Sequence, residues 1–196
     1  MSLSIVPLTA DRMADLADLF GQGGDPKWCW CAYFRVRGRD WTNSTAAENR
    51  AVLADAVREG TRQDRAPGLV AYDEGAAVGW TSLGPRDDYE RLAYSTLLAP
   101  IDDAPVWSIV CFVVGRRSRG RGVARTLLTA AVDYARARGA MILEAYPVEV
   151  PDGGRIPSAN AYHGTLSMFE RAGFTVVAHR HWNASSPQRS IVRLGL

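Results

Sequence analysis

Val113-Val114-Gly115-Arg116-Arg117-Ser118-Arg119-Gly120-Arg121-Gly122-Val123-Ala124 joins two segments of different period. Before it, Val106 to Val114 is apolar nearly throughout, the pattern of a central strand buried on both faces. After it, Val123, Leu127, Leu128, Ala131, Val132 and Ala135 share one face of a helix from Val123 to Arg138, with Gly139 as its C-cap. A strand, a glycine turn and a helix together suit a phosphate. Amides of the turn can point inward, and glycines admit a ligand close to the backbone. The helix N-terminus adds free N–H donors and partial positive charge. Arginines at 116, 117, 119 and 121 add more charge. The spacing is not a Walker A loop, because no Gly-Lys-Ser/Thr follows. It is not the dinucleotide G-x-G-x-x-G either, since position 125 is Arg.

Working outward, Ser4 to Leu8 alternates as a strand and Thr9 to Leu19 is helix-like, ended by Gly21 to Pro26. Thr45-Ala46-Ala47-Glu48 is a capping box that opens a helix carrying Val52, Leu53, Ala56 and Val57 on one face. Leu69 to Tyr72 and Ala76 to Leu83 form a hairpin about Asp73-Glu74-Gly75. Asp87 to Asp103 is a polar, partly helical connection. Met141 to Ala145 is a strand and Pro147 to Pro157 a loop. Ala159 to Ala172 reads as a helix ending at Gly173, and Phe174 to His179 and Ser190 to Leu194 are closing strands. The order is mixed α/β, with hairpins early and strand–helix–strand units late, and residues 1–196 read as one domain.

Composition is that of an ordinary globular chain: 47 % hydrophobic, 22 % charged and a formal net charge of +2. Nothing in that balance asks for nucleic acid or an anionic membrane. Met1 to Phe20 lacks the pattern of a signal peptide, and no stretch approaches the roughly 18 apolar residues of a membrane span. Three cysteines, two of them one residue apart, are not a disulfide framework, and a reducing cytoplasm is the simplest compartment. Trp28-Cys29-Trp30-Cys31 is too small for a zinc site and has no second Cys/His pair nearby, so no metal is expected. Strand alternation there would place both tryptophans on one side and both cysteines on the other. Cys111, inside the apolar strand, reads as core.

Arg119-Gly120-Arg121-Gly122-Val123-Ala124 resembles the Q/R-x-x-G-x-G/A signature of the GNAT acyltransferase superfamily. Phe169-Glu170-Arg171-Ala172-Gly173-Phe174 resembles that family's aromatic-x-x-x-Gly-Phe ending of the fourth main helix, in the right order about fifty residues on. The resemblance implies a central mixed, mostly antiparallel sheet of six or seven strands flanked by about four helices. It implies acetyl-CoA as donor and a primary amine of a small molecule or peptide as acceptor, joined by direct attack in a ternary complex. Residues 106–137 would be the acetyl-CoA core and residues 1–66 would supply the acceptor-side helices. Phe112, Val113 and Val114 would lie along the pantetheine arm, with backbone groups of Phe112 and Val114 pairing with it. Arg119, Gly120, Arg121, Gly122, Val123, Ala124 and Arg125 would hold the pyrophosphate. Trp28, Trp30, Tyr33 and Tyr146 would line the acceptor pocket, where aromatics favour a flat or cationic amine. The closing strands could pair across a homodimer.

An amine of pKa about 10.4 is about one part in a thousand neutral at pH 7, so a base helps, and the leaving thiolate needs a proton. Many relatives carry a tyrosine acid where this sequence has Phe169, which donates nothing. Tyr162, seven residues earlier, would share a helix face with Leu166 and Phe169; it would be the replacement acid if its phenol reaches the sulfur, and otherwise a core or acceptor-pocket tyrosine. Glu144 interrupts an apolar strand, where a raised pKa would suit a base. Glu149 and His163 are weaker candidates. A non-catalytic acyl-CoA-binding or sensor protein of the same fold is the alternative, and an RNA-binding module using Arg116 to Arg121 is a third reading.

Overall fold

The doubly apolar segment becomes β4 (Trp107–Val114), whose residues Ser108 to Val113 are all buried. The computed structural model describes residues 2–149, 162–181 and 188–196. In it β4 is the middle strand of a seven-stranded sheet. Its companions are β1 (Leu3–Pro7), β2 (Gly68–Asp73), β3 (Ala76–Pro85), β5 (Ile142–Ala145), β6 (Thr175–Arg180) and β7 (Arg189–Gly195), in the order β1-β2-β3-β4-β5-β7-β6. Every neighbouring pair is antiparallel except β4 and β5.

Among the described residues seven α-helices flank this sheet: α1 (Met13–Gly21), α2 (Pro26–Cys29), α3 (Gly38–Thr42), α4 (Ala46–Arg62), α5 (Glu90–Tyr94), α6 (Val123–Ala137) and α7 (Leu166–Glu170). On one face α6 buries Val123, Leu127, Leu128, Ala131 and Ala135 against Ile109, Leu143, Phe169 and Phe174. Val132 is only partly covered. On the other face Leu16, Leu19 and Phe20 of α1 and Leu53 and Val57 of α4 pack with Trp80 and Val110. The capping box forms: the Thr45 hydroxyl accepts from the Glu48 amide at 3.2 Å, and the Glu48 carboxylate accepts from the Thr45 amide at 2.7 Å.

The feature that positions the site is a defect in β4. Its register against β3 slips at Val110, since Ser82 faces Cys111 and Leu83 faces Ile109, leaving one extra residue as a bulge. On the opposite edge β4 pairs with β5 only through Trp107–Leu143, Ser108–Glu144 and Ile109–Ala145. The parallel pairing stops where the bulge begins, and β4 departs from β5 beyond it.

Two sequence expectations are corrected here. Residues 28–31 are not a strand: Pro26 opens the four-residue helix α2, and Trp30 and Cys31 then adopt left-handed backbone with φ of 45° and 52°. The chain reverses, so Trp30 is buried edge-on against Phe20 at 5.2 Å while Trp28 stays 39 % exposed. The expected helix at 159–172 survives only as α7. Gly164 has φ +75°, and Thr165 caps the helix by accepting from the Met168 amide at 3.3 Å. Tyr162 therefore sits in the preceding turn and does not share a helix face with Phe169. Residues 150–157 of the expected loop and 159–161 of the expected helix lie outside the described residues.

A Cβ added at Gly79 of β3 would lie 2.6 Å from Val123 Cγ1 and 3.0 Å from Leu127 Cδ1 of α6. Gly79→Ala is expected to lower stability by about 1–3 kcal/mol through overpacking. A urea midpoint that falls with an unchanged slope checks this.

Candidate active site

Two cavities meet where β4 leaves β5. The first, of about 430 Å³, lies over the turn between β4 and α6. It is lined by Phe112, Val114, Ser118, Arg119, Gly120, Gly122, Val123, Ala124 and Arg125, with Tyr162 and Gly164 on the far wall. Gly120 and Gly122 have φ of +73° and +83°, a conformation that L side chains rarely take. Gly122 is the N-cap of α6, and no side chain caps that end. The first amides of a 15-residue helix thus face a cavity bordered by two arginines, an arrangement that fits a pyrophosphate. Val113 and Arg121 stand apart. Val113 points into the opposite core, and Arg121 lies 3.8 Å from Asp73.

The second cavity, of about 630 Å³, is walled by aromatics: Trp28, Tyr33, Phe34 and Trp41. Trp41 meets both Trp28 and Tyr33 edge-on, at 4.4 and 5.2 Å. Asp25, Cys29, Cys31, Val110, Cys111, His163 and Arg189 complete much of the lining. His163 packs edge-on to Phe34 at 5.6 Å, and its Nδ1 is buried without a hydrogen-bond partner. Burial, helped by the Arg189 charge, pushes its pKa down to about 3, so the ring is neutral at pH 7. Burial also lowers the Arg189 pKa.

Tyr162 lines both cavities. Its carbonyl accepts the Phe112 amide at 2.6 Å. A Cβ on Gly24 would lie 2.9 Å from the Tyr162 phenol oxygen, so the hydroxyl passes closely over the glycine. Burial and the Asp25 charge raise the phenol pKa, which keeps the proton on at neutral pH. The Phe112 amide is accordingly engaged within the protein, and the Val114 carbonyl accepts Arg119 Nε at 3.2 Å. Neither group is idle, as an added pantetheine strand would want it.

Glu144 and Tyr146 line neither cavity. Glu144 is 1 % exposed; Oε1 accepts the Tyr146 hydroxyl at 2.7 Å and Oε2 accepts Arg193 Nε at 2.7 Å. Arg193 also grips Asp102 through both terminal nitrogens, at 2.6 and 2.8 Å, which pulls that carboxyl down to about 2. Tyr146 further meets the Ser108 hydroxyl at 3.0 Å. This is a closed ion-pair network under the β4–β5 contact. Trp30, buried against Phe20, also lines neither cavity.

The structure therefore brings together Tyr162, Trp28, Tyr33 and eight of the ten residues expected at the cofactor. It adds Trp41, Asp25, Cys29, Cys111 and Arg189, which sequence reasoning did not place there, and gives His163 a defined position. Arg189 comes from the last strand, and no local pattern marks it. Trp41 carried a readable signal, a third tryptophan just after the aromatic stretch.

The sequence profile described as the acetyltransferase (GNAT) family matches residues 28–164. Among curated proteins none matches this chain. Solved structures do, over essentially their full lengths. A polyamine N-acetyltransferase from Drosophila melanogaster superposes with a TM-score of 0.62 at 15 % identity, covering 100 % of both chains. A GCN5-related N-acetyltransferase from Kribbella flavida gives 0.59 at 17 %, covering 99 % of this chain and 98 % of that one. The PaiA N-acetyltransferase from Thermoplasma acidophilum, in complex with coenzyme A, gives 0.56 at 14 %, covering 100 % of both. At these identities the likeness is one of fold.

His163 makes stability depend on acid. The unfolded chain takes up a proton near pH 6.5, whereas the folded site resists it down to about 3. Folded stability should fall as pH drops from about 6.5 to 3, with no contribution from this group above that window. Thermal melts of wild type and His163→Gln against pH check this; the variant should show a shallower acid limb.

Proposed function

Because the chain belongs to the GNAT acetyltransferase family, we propose that it moves an acetyl group from acetyl-CoA to a primary amine of a small molecule or peptide, by direct attack in a ternary complex. One observation carries this reading: a cavity lined by the glycine turn and the start of α6 and a cavity walled by aromatics share one tyrosine. Acetyl-CoA bound in the first would supply an acetyl group activated as a thioester. Residues 106–137 form the donor side, and residues 1–66 supply much of the acceptor side.

The α6 amides from Val123 to Arg125, with Arg119 and Arg125, hold the pyrophosphate. Trp28, Tyr33 and Trp41 exclude water around the acceptor and favour a flat or cationic group. Asp25 is the carboxylate of that cavity and draws in the ammonium form. Tyr162 spans the junction with its phenol protonated, and is the donor for the departing thiolate in place of Phe169. Phe169 is wholly buried between Phe112 and Phe174. Glu144 has both oxygens engaged away from the cavities, so it acts as a positioning group under β4 and not as the base.

Acetyl-CoA-dependent thiol release across a panel of primary amines tests the activity. Coenzyme A binding without turnover on any amine would replace the enzyme with a binding protein. Tyr162→Phe should lower kcat by about 10²-fold, with little change in the KM for acetyl-CoA, because the carbonyl that meets Phe112 is kept. Unchanged turnover across pH would reduce Tyr162 to a cavity wall. Glu144→Gln should instead cost about 3 kcal/mol of stability by leaving Arg193 short of a partner. A pH–rate profile of unchanged shape in that variant separates positioning from proton transfer.

A further inference from the structure

Three thiols gather in the aromatic cavity, and acetyl transfer uses none of them. Cys29 enters from the end of α2, Cys31 from the turn after it, and Cys111 from β4 just past the bulge. All three are free. Cys31 Sγ lies 3.1 Å from Cys111 Sγ, across 80 residues of chain. A disulfide needs about 2.05 Å, so the two sulfurs have about 1 Å to travel.

Both cysteines are held in place by their surroundings. The Trp80 indole N–H donates to Cys31 Sγ at 3.2 Å, and Cys31 is fixed in left-handed backbone. The Cys111 carbonyl accepts the Thr81 hydroxyl at 3.1 Å. The pair is shielded from bulk water, at 2 % and 6 % exposure, yet both residues line the cavity. A reagent must enter the cavity to reach them. The hydrogen bond to Cys111 and burial keep the Cys31 thiol protonated.

We propose that Cys31 and Cys111 are a modification site: a peroxide small enough to enter the aromatic cavity converts them to a reversible disulfide that closes the cavity to acceptor amines and leaves the cofactor pocket open. Cys111 Sγ, which accepts the Cys31 S–H, attacks one oxygen of hydrogen peroxide as the O–O bond breaks, giving a sulfenic acid at Cys111 and, with the Cys111 thiol proton, one water. The second sulfur attacks the sulfenic sulfur, the S–S bond forms, and the hydroxyl leaves with the second thiol's proton as another water. Both sulfurs are oxidised and both peroxide oxygens reduced, and a dithiol reductant reverses the step. The bond ties the turn between Trp28 and Tyr33 to β4, whose Val110 and Cys111 also line the cavity. The covalent part stands on geometry alone; the effect on acceptors rests on the proposed function.

The test treats the intact protein with hydrogen peroxide and maps its peptides without reduction. A Cys31–Cys111 crosslink is expected, with one free thiol remaining of three, and Cys29→Ser should keep it. Amine turnover should fall by about 10²-fold, the scale of a roughly 1 Å misplacement, with acetyl-CoA binding unchanged and dithiothreitol restoring activity. Cys31→Ser and Cys111→Ser, each compared with its own untreated activity, should lose the peroxide response. Phenylarsine oxide needs no variant: one phenylarsenic group should bridge the two thiols of the native chain with release of one water. A map showing only Cys29 oxidation, or a crosslink that leaves amine turnover intact, would overturn the proposal. If no amine is turned over at all, the map and the arsenical still decide the dithiol, so the two failures are told apart.

Discussion

Everything functional in this fold depends on how little β4 and β5 share. Among the described residues they are the only parallel neighbours in the sheet, and their contact is three residue pairs long. The extra residue at Val110 increases the local twist of β4 at the point where the pairing ends. A wedge opens in the middle of a sheet that is otherwise continuous. Buried backbone groups facing such a wedge need partners. Tyr162 supplies one through its carbonyl, and Val148 stitches the far side by bridging to Thr165 and Arg189. Both cavities lie along this opening.

The aromatic cavity is built by a different device. Two consecutive non-glycine residues in left-handed backbone cost free energy that their surroundings must offset. The Trp30 ring does so by packing on Phe20, and the Cys31 sulfur by accepting from Trp80. Arginines cover the outer aromatic faces: Arg50 stacks over Trp30 at 5.2 Å and Arg91 over Tyr33 at 3.9 Å. Each such contact contributes about 0.5–1 kcal/mol. The reversal turns Trp28 and Tyr33 toward the cavity and leaves Trp30 in the core, which no alternating strand could do.

The strand–turn–helix unit was legible in the sequence because two periods change at a glycine-rich turn, and that change is local. The strand, the loop and α6 lie where the pattern puts them, and the capping box of α4 forms from its four-residue signal. Within that region the exceptions also have local causes. Val113 falls on the other face of the pleat, and the Arg121 side chain turns to Asp73. What was not legible depends on distant partners. Glu144 reads as an unexplained carboxylate until Arg193, 49 residues away, is seen beside it, held in turn by Asp102. Gly164 and Thr165 cut the expected fourth helix short, so Tyr162 reaches the site from a turn. His163 and Arg189 reach the cavity from separate elements, one ahead of α7 and one on β7.

Any ligand that joins β4 as a further strand must take the Phe112 amide from the Tyr162 carbonyl. That is an exchange of one hydrogen bond for another, and such exchanges contribute little net free energy. For such a ligand the edge of β4 would work as a ruler, fixing how far along the strand its reactive end lies, while adhesion would come from the charged turn at the other end. Depth and grip would then be set by separate parts of the same strand–turn–helix unit, so either could change in a related sequence without disturbing the other.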